Sequence, residues 1–203
     1  MCEWSTQGSF KNLVNVNRQV YSIVERTINS STVTTLELLD NAYHTDSASK
    51  QTGSATKNWT VAHLPNTEVV VKSGNYSMGT YTTNGSGQLT LTDAVTSVEI
   101  GLNFTPELTT LPPEFQLNDG ISVGQKRRVV RAVLDLNETL DVKTKGTSIL
   151  IRRVTDDFSL EPTPLTERKE VYLLGWGKEG TVTITQDQPL PLTINGLLLE
   201  VEV

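Results

Sequence analysis

Apolar and polar residues alternate along many short segments of this 203-residue chain, and that alternation limits the folds open to it. The clearest segment is 95–104, in which Val98, Ile100, Leu102 and Phe104 fall on one side of a strand. Polar or small residues fall on the other side, so a strand here has one apolar, buried face and one polar, solvent-exposed face. No stretch of eleven or more residues sustains the spacing of three and four that marks an amphipathic helix. The pattern predicts an all-β protein.

Strand signals are dense in the first half of the chain. Residues 19–28 and 32–39 are rich in Val, Ile, Thr and Tyr and are joined by Asn29-Ser30-Ser31, which predicts a hairpin. Residues 40–57 are small and polar, and we expect a loop or a crossing between domains there. Short strand candidates follow at close spacing, which predicts a small closed barrel: 59–63, 68–72, 76–81, 88–91 and 95–104.

The second half begins with a break in this pattern. Residues 105–124 hold three prolines and two glycines, which predicts an irregular connection and a domain boundary. Strands are expected again at 126–136, 148–154 and 170–175, followed by a terminal hairpin. In the first of these strands we expect the core side to carry Arg128, Val130, Ala132, Leu134 and Leu136.

These segments predict one architecture. We expect an antiparallel β-sandwich built from residues 1–55 and 105–203, with a small β-barrel of residues 56–104 inserted between them. The motive for the insertion is the irregular sequence on both sides of the barrel segment.

The C-terminal stretch combines a strand pattern with two prolines. Val182 and Ile184 alternate with threonines, as in a strand with one buried face. Pro189 and Pro191 cannot donate to a ladder, so the chain there lies at an edge, at a crossing between sheets, or outside pairing altogether. Asn195-Gly196 is the two-residue signal for a hairpin turn.

Charge is split evenly between the two halves of the chain, and no part of the chain is a basic block. The chain has 17 Lys and Arg against 23 Asp and Glu, a net charge of -6, which argues against tight binding to nucleic acid. A candidate basic contact patch consists of Lys126, Arg127, Arg128 and Arg131, with Arg152 and Arg153 further along. Two interpretations stay open: contact with a nucleic-acid backbone or an acidic partner, or pairing with the chain's own acidic residues across strands.

Motifs for catalysis, metal ions and cofactors are missing from the sequence. Gly175 to Gly180 matches G-x-G-x-x-G, but it runs into a strand instead of opening a helix, so no dinucleotide cofactor is expected. His44 and His63 have no further ligand at metal-binding spacing, and we expect both at the surface. Buried positions are expected for Trp4, Trp59 and Trp176.

The sequence also contains few features that indicate a cellular compartment. The single cysteine, Cys2, excludes an intrachain disulfide and fits a reducing cytosol. The first residues lack the basic and apolar regions of a signal peptide, and no apolar run approaches the roughly 20 residues that span a bilayer. We therefore expect a soluble chain that does not insert into a membrane.

Several segments, taken in order, resemble a known family. They are 20–26, 58–71 (NWTVAHLPNTEVVV), 95–113 (VTSVEIGLNFTPELTTLPP), 124–139 (GQKRRVVRAVLDLNET) and 182–203 (VTITQDQPLPLTINGLLLEVEV). The ordered set is similar to the C-terminal half of the tail nozzle proteins of short-tailed bacteriophages, the tail tubular protein B type.

The resemblance implies a structural, non-enzymatic role with no cofactor. Copies of such a protein form a ring below the head-to-tail adaptor, extend and close the DNA channel, and hold the tail fibres or spikes. DNA would pass through the lumen without sequence-specific binding, and the protein would belong to the virion tail after assembly in the host cytoplasm. Family members are longer, so this chain would be a fragment, a processed product or a shortened relative.

The resemblance also suggests where copies meet. We expect an assembly segment at Asp187, Pro189, Leu190, Pro191 and Leu192, although prolines at an edge also serve to protect it. One alternative is a carbohydrate- or receptor-binding β-sandwich of a phage host-recognition apparatus, which has the same composition. Another is a hydrolase on a β-scaffold.

Overall fold

The computed structural model describes residues 6–114, 116–117, 120–121 and 125–202. All regular structure in these residues is β-strand, and every ladder between them is antiparallel, so the all-β prediction is confirmed. No helix in the described ranges is long and apolar enough to cross a membrane. The strands fall into two compact units that divide between Phe104 and Thr105, where the sequence predicts a boundary.

The first unit begins with a three-stranded meander. Its strands are β1 (Gly8–Val16), β2 (Gln19–Ile28) and β3 (Ser31–Leu39), in the order β1-β2-β3. Both connections are two-residue turns whose central residues have positive φ, 50° and 66° at the first and 47° and 63° at the second. That geometry matches the right-handed twist of the strands. The predicted hairpin of β2 and β3 is confirmed.

A four-stranded sheet completes this unit. It contains β4 (Asp46–Thr60), β5 (Glu68–Ser73), β6 (Tyr76–Thr82) and β7 (Gln88–Leu102), in the order β4-β7-β5-β6. The sheet does not close, so the predicted barrel is not confirmed. The predicted strand 88–91 and residues 95–102 of the predicted strand 95–104 are parts of the single long strand β7, which ends at Leu102.

The prediction of a loop over residues 40–57 is wrong for most of that range. Residues 46–57 belong to β4, which pairs with β7 along its length. Asp, Lys, Ala and Gly, which are frequent in this range, carry little strand propensity of their own, but pairing with an apolar neighbour overrides propensity. The predicted boundary between residues 55 and 56 therefore falls inside a strand.

The core of the first unit joins its two sheets. Ile28 at the end of β2 is buried in the same cluster as Trp59, Leu64, Val71 and Ile100. Trp59 is buried, as predicted. Strand β2 forms no ladder with β4 to β7, yet it contributes to their core. That residues 1–55 share a sandwich with residues 105–203 stays a prediction.

The second unit is built from shorter strands. They are β8 (Glu107–Thr109), β9 (Gln116–Leu117), β10 (Gly120–Ile121), β11 (Arg128–Leu136), β12 (Lys143–Thr144), β13 (Thr147–Ser148), β14 (Arg168–Tyr172), β15 (Thr183–Thr185) and β16 (Ile194–Glu202). They form sheets in the orders β14-β11-β16, β13-β12-β15-β8 and β10-β9. Within residues 147–154, only Thr147 and Ser148 form a strand. Most of the strand predicted at 148–154 is therefore irregular chain.

A β-bulge shifts the core side of β11. Val129 lies opposite Val201 and Arg131 opposite Glu200, which leaves Val130 as an extra residue. Alternation reverses at such a bulge. The prediction that Arg128 and Val130 face the core is therefore wrong, and Val129 is buried in their place. Ala132, Leu134 and Leu136 are buried as predicted.

The end of the chain also differs from its prediction. Val182 and Ile184 are buried, which confirms the alternation there. Asn195-Gly196 does not form a hairpin turn, because both residues lie inside β16. Gly196 faces Asp135 and Ile194 faces Leu136, so Asn195 is the extra residue of a bulge. Neither residue has a positive φ, so the bulge does not use the left-handed backbone angles for which Asn-Gly indicates a turn.

Candidate functional site

A buried ion cluster ties β3 to the start of β4. The side chain of Arg26, only 1% exposed, donates from Nε and Nη2 to the two oxygens of Glu37, at 2.7 Å each. Its Nη1 lies 3.4 Å from Oδ2 of Asp46. Such a bidentate contact fixes the relative orientation of the two side chains and also pairs their charges. The core side of the three-stranded sheet therefore carries a charged clamp instead of apolar packing at this point.

Burial affects the two carboxylates of this clamp differently. Burial raises the pKa of Asp46, and the more distant Arg26 contact does not offset it. Burial also acts to raise the pKa of Glu37, but hydrogen bonds from Arg26 and Thr35 outweigh it, and the pKa lies below its ordinary value. Glu37 is thus held ionised while Asp46 gains a proton more readily than a free aspartate.

A cleft of about 480 Å³ lies beside this cluster, along the outer edge of β3. Its walls include the apolar side chains of Leu36, Leu38, Leu39, Tyr43 and Phe104. Its charged or titratable lining consists of Glu37, Asp40, Asp46 and His63. The cleft lies within the first unit and combines an apolar wall with acidic groups, which are the features of a binding cleft.

A second buried polar cluster surrounds Glu99 on β7. Its side chain is 3% exposed and accepts a hydrogen bond from the backbone N–H of His44, at 2.5 Å. Burial acts to raise the pKa of Glu99, but bonds from His44 and the charge of Lys72 lower it overall. Burial lowers the pKa of Lys72, whose Nζ lies 3.0 Å from Nδ1 of His44.

This cluster corrects two predictions. Glu99 is not on a solvent-exposed face, because the loop that ends at Thr45 covers it. His44 is half-buried instead of exposed, whereas His63 is exposed as predicted, with Nε2 2.8 Å from the carbonyl oxygen of Ser47. In the described part of the chain, no group of three or more His, Cys, Asp or Glu residues is arranged to hold a metal ion.

The candidate basic patch is dispersed by the structure. Arg127 is buried and contacts the carbonyl oxygen of Pro113 and the carboxylate of Glu114. The half-buried Arg128 and Arg131 pair across strands with acidic residues of the chain itself, Glu202 at 2.5 Å for the first, and Glu200 at 2.9 Å and Glu170 at 3.2 Å for the second. Lys126 is exposed. The arginine contacts correspond to the second of the two interpretations of this patch, pairing within the chain.

The glycine-rich loop 175–180 forms one wall of another cavity, of about 500 Å³. Gly177 exchanges backbone hydrogen bonds with Arg127, at 2.8 and 2.9 Å, and no helix follows the loop. Trp176 is 54% exposed, so the prediction that it is buried is wrong. Its ring lies 5.1 Å from the guanidinium carbon of Arg128, and Lys145 and Lys178 also line the cavity. Trp4 lies outside the described residues.

The candidate assembly segment is held by the unit to which it belongs. Asp187 binds the ammonium group of Lys143, and Pro189 is buried. The carbonyl oxygen of Pro191 accepts a bond from the N–H of Leu140 at 3.0 Å, and that of Leu190 from the side chain of Gln186 at 2.7 Å. Leu192 packs against the core of the second unit. The segment belongs to no ladder, which is one of the three arrangements that its prolines allow.

The chain matches no family model and no curated protein sequence.

The cleft beside β3 is the feature that the sequence does not predict. Its residues come from segments 35–48 and from positions 63 and 104, which alternation alone assigns to different elements. The signal that could have found it is Glu37, a carboxylate on the same face as Thr35 and Leu39 in a strand expected to have an apolar side.

Proposed function

We propose that this chain is a structural, non-enzymatic component of the tail of a short-tailed bacteriophage, of the tail nozzle type. Copies of it surround and extend the DNA channel below the head-to-tail adaptor, and the tail fibres or spikes attach to the same assembly. DNA passes through this channel and is not bound in a sequence-specific way.

One observation carries this proposal: the segments that resemble nozzle proteins fall on successive elements of an all-β chain. Residues 58–71 cover the end of β4 and β5, residues 95–113 run from β7 through β8, and residues 182–203 include β15 and β16. The bulged strand β11 lies in the fourth segment, 124–139. A family likeness that follows the order of strands supports a shared architecture more than isolated matches would.

Charge supports the role of a conduit. The net charge of -6 would repel DNA from a lumen wall and let it slide. Arg128 and Arg131, which could have offered phosphate contacts, are paired with glutamates.

The location of the protein in the virion tests the proposal. Antibodies raised against the purified chain should label particles of the encoding phage at the tail, below the head, in negative-stain electron micrographs. An antibody against the major head protein serves as the control. Particles whose tails carry no label, together with absence of the chain from purified virions by mass spectrometry, would contradict a tail role.

DNA binding provides a second test. At physiological salt we expect fluorescence anisotropy of a short labelled duplex to remain unchanged, because ordinary non-specific binders reach dissociation constants of about 10⁻⁴ to 10⁻⁶ M only with a basic surface. The same titration at low salt is the control for weak electrostatic contact. Submicromolar affinity at physiological salt would argue for a DNA-binding protein instead.

A carbohydrate- or receptor-binding role is the second candidate, and Trp176 favours it. A half-exposed indole at the edge of a polar cavity is a common surface on which a sugar ring stacks. A glycan array would decide: binding that is lost in Trp176→Ala and kept in Tyr172→Ala, another exposed aromatic residue, would favour this candidate. No binding to any glycan would favour the tail component.

A further inference from the structure

We propose that the free edge of β3 receives strand β1 of a second copy of this chain, so that the three-stranded sheet continues from one copy to the next. The pairing rests on the proposed assembly role, in which copies of the chain meet. It identifies the surface and the partner strand.

The backbone of β3 leaves a row of hydrogen-bonding groups without a ladder. In a hairpin with a two-residue turn, the residues that flank the turn form a hydrogen-bonded pair, here Ile28 and Ser31, and such pairs then alternate. The N–H and C=O groups of Thr34, Leu36 and Leu38 consequently point away from β2. No other described strand pairs with β3, and no backbone bond in the described residues engages these three.

This edge lacks three of the usual protections, and the one inward-pointing charge on β3, Glu37, is already bound by Arg26. Exposed edges are commonly blunted by lysine, proline or a bulge. The sequence of β3, STVTTLELL, contains neither lysine nor proline, and its register with β2 is unbroken. The cleft of about 480 Å³ runs along the same edge and includes Leu36 and Leu38 in its wall. An added strand therefore has backbone partners on β3, and Tyr43 and residues 45–48 line the cleft beside it.

An apolar face accompanies the edge. Leu36 is 69% exposed and lies opposite Ile23, while Leu38 lies opposite Tyr21, which in turn lies opposite Val14. These side chains share the outer face of the sheet, and most of them are exposed large hydrophobic residues. A sheet that continued into another copy would extend this face across the junction.

Charge complementarity selects β1 as the incoming strand. The cleft is lined by the carboxylates of Glu37, Asp40 and Asp46, and no lysine or arginine is among its lining residues. The single guanidinium of Arg26 contacts two of these three carboxylates, Glu37 and Asp46, so the lining keeps an excess of negative charge.

The single charged residue of β1 is Lys11, which is exposed and binds Glu25 on its own sheet. Lys11 lies at a bulge between Phe10 and Asn12, so the pairing segment of β1 is residues 12–16, where the register with β2 is unbroken. A second β3 would instead bring another Glu37 to an acidic cleft.

The two strands also suit head-to-tail repetition. Strands β1 and β3 are the two edges of one meander and run in the same direction. Pairing β3 of one copy with β1 of the next is a heterologous contact, which produces a ring when the rotation between copies closes. A two-fold contact between two β3 strands would stop at a dimer.

Proline substitutions at outward-facing amides provide the test. Leu36→Pro removes an N–H that makes no bond inside the sheet, and Asn15→Pro does the same on β1. Sedimentation velocity of the full chain over a concentration series should show association for the wild type, weakened about tenfold or more in each variant through lost backbone bonds. Leu36→Ala keeps the amide and is the matched control for the side chain.

Each result decides the question. A wild type that stays monomeric, or association untouched by Leu36→Pro, would overturn the pairing. Association lost in Leu36→Pro but kept in Asn15→Pro would exclude β1 as the partner. Circular dichroism checks the fold, and if Leu36→Pro does not fold, Leu36→Lys takes its place, because lysine blocks edges without altering the backbone. Antibody labelling of tails would remain positive if only this pairing were wrong, so its failure is distinguishable from that of the tail role.

Discussion

At the scale of single residues, the chain's unusual feature is charge placed where apolar packing would be expected. Arg26 lies on the core side of β2 between Glu37 and Asp46, and Glu99 lies under the loop that carries His44. Buried charges of this kind are destabilising when one partner is removed, because the remaining charge is left in a poorly solvated place. They fix the position of β3 and of the start of β4, and so the shape of the cleft between them.

Removing Arg26 should therefore be severe. We expect Arg26→Met to lower the free energy of unfolding by about 3–5 kcal/mol, since Glu37 and Asp46 lose their cation. Lys11→Met is the matched control, because Lys11 is also paired with a glutamate, but at the surface, and about 0–1 kcal/mol is expected. Urea unfolding followed by circular dichroism measures both. Similar losses of unfolding free energy in Arg26→Met and Lys11→Met would show that the buried ion cluster contributes no more to stability than a surface ion pair.

Acid should destabilise the protein through its buried glutamates. The pKa values of Glu37 and Glu99 lie below their ordinary value, so their contribution to stability is present above the unfolded-state pKa of about 4.3 and is lost as pH falls through the folded-state values. Asp46 acts in the opposite direction, because its pKa is raised and its protonation favours the folded state.

Glu99→Gln isolates one of these groups. We expect its unfolding free energy, measured by urea titration between about pH 6 and about pH 3, to fall less steeply than that of the wild type at the acidic end. Glu68→Gln, at an exposed position of β5, is the matched control for the substitution itself. Parallel curves for the wild type and Glu99→Gln would exclude Glu99 as a titrating contributor.

At the scale of elements, pairing partners and bulges decide which side of a strand is buried. The bulge at Val130 exchanges the faces of the start of β11, and the bulge at Asn195 lets β16 continue where its sequence predicts a turn. Alternation indicates that a strand exists, but a single extra residue reverses its faces. Strand β4 illustrates the converse, since its small polar residues become strand by pairing with β7.

The two faces of the β14-β11-β16 sheet should respond differently to truncation. Leu134 on β11 is fully buried, and we expect Leu134→Ala to cost about 2–5 kcal/mol through lost packing and a cavity. Leu198 on β16 is largely exposed, and Leu198→Ala should change stability by less than about 0.5 kcal/mol. Thermal unfolding followed by calorimetry compares the two variants. A large loss for Leu198→Ala would indicate that this face is covered in solution.

At the scale of the whole molecule, the chain consists of two β units, each with a core of its own. The first is centred on residues such as Leu64 and Ile100, and the second on residues such as Leu134 and Ile184. The boundary after Phe104 coincides with the proline-rich stretch that predicts a break. Separate cores are the physical condition for units that fold independently.

Expression of the two halves tests that independence. We expect residues 1–104 and 105–203 to fold separately, each with cooperative thermal unfolding and with amide NMR signals that superimpose on those of the full chain. A cut between residues 55 and 56 is the control, because it divides β4 and should yield unfolded products. Halves that fold only when mixed would show that the two cores depend on each other.

Local patterns in the sequence are sufficient to predict the all-β class, the β2–β3 hairpin, the break near residue 105 and the buried face at Val182 and Ile184. Each of these follows from local alternation or from proline and glycine placement, which act within a few residues. The tertiary structure is needed to establish that β4 is a strand, that Glu99 is buried, and that Arg128 and Arg131 face glutamates. It also decided that the edge of β3 lies open along an acidic cleft. Those features depend on contacts between residues that are distant in the chain. The periodicity within a segment does not indicate which other segment it pairs with.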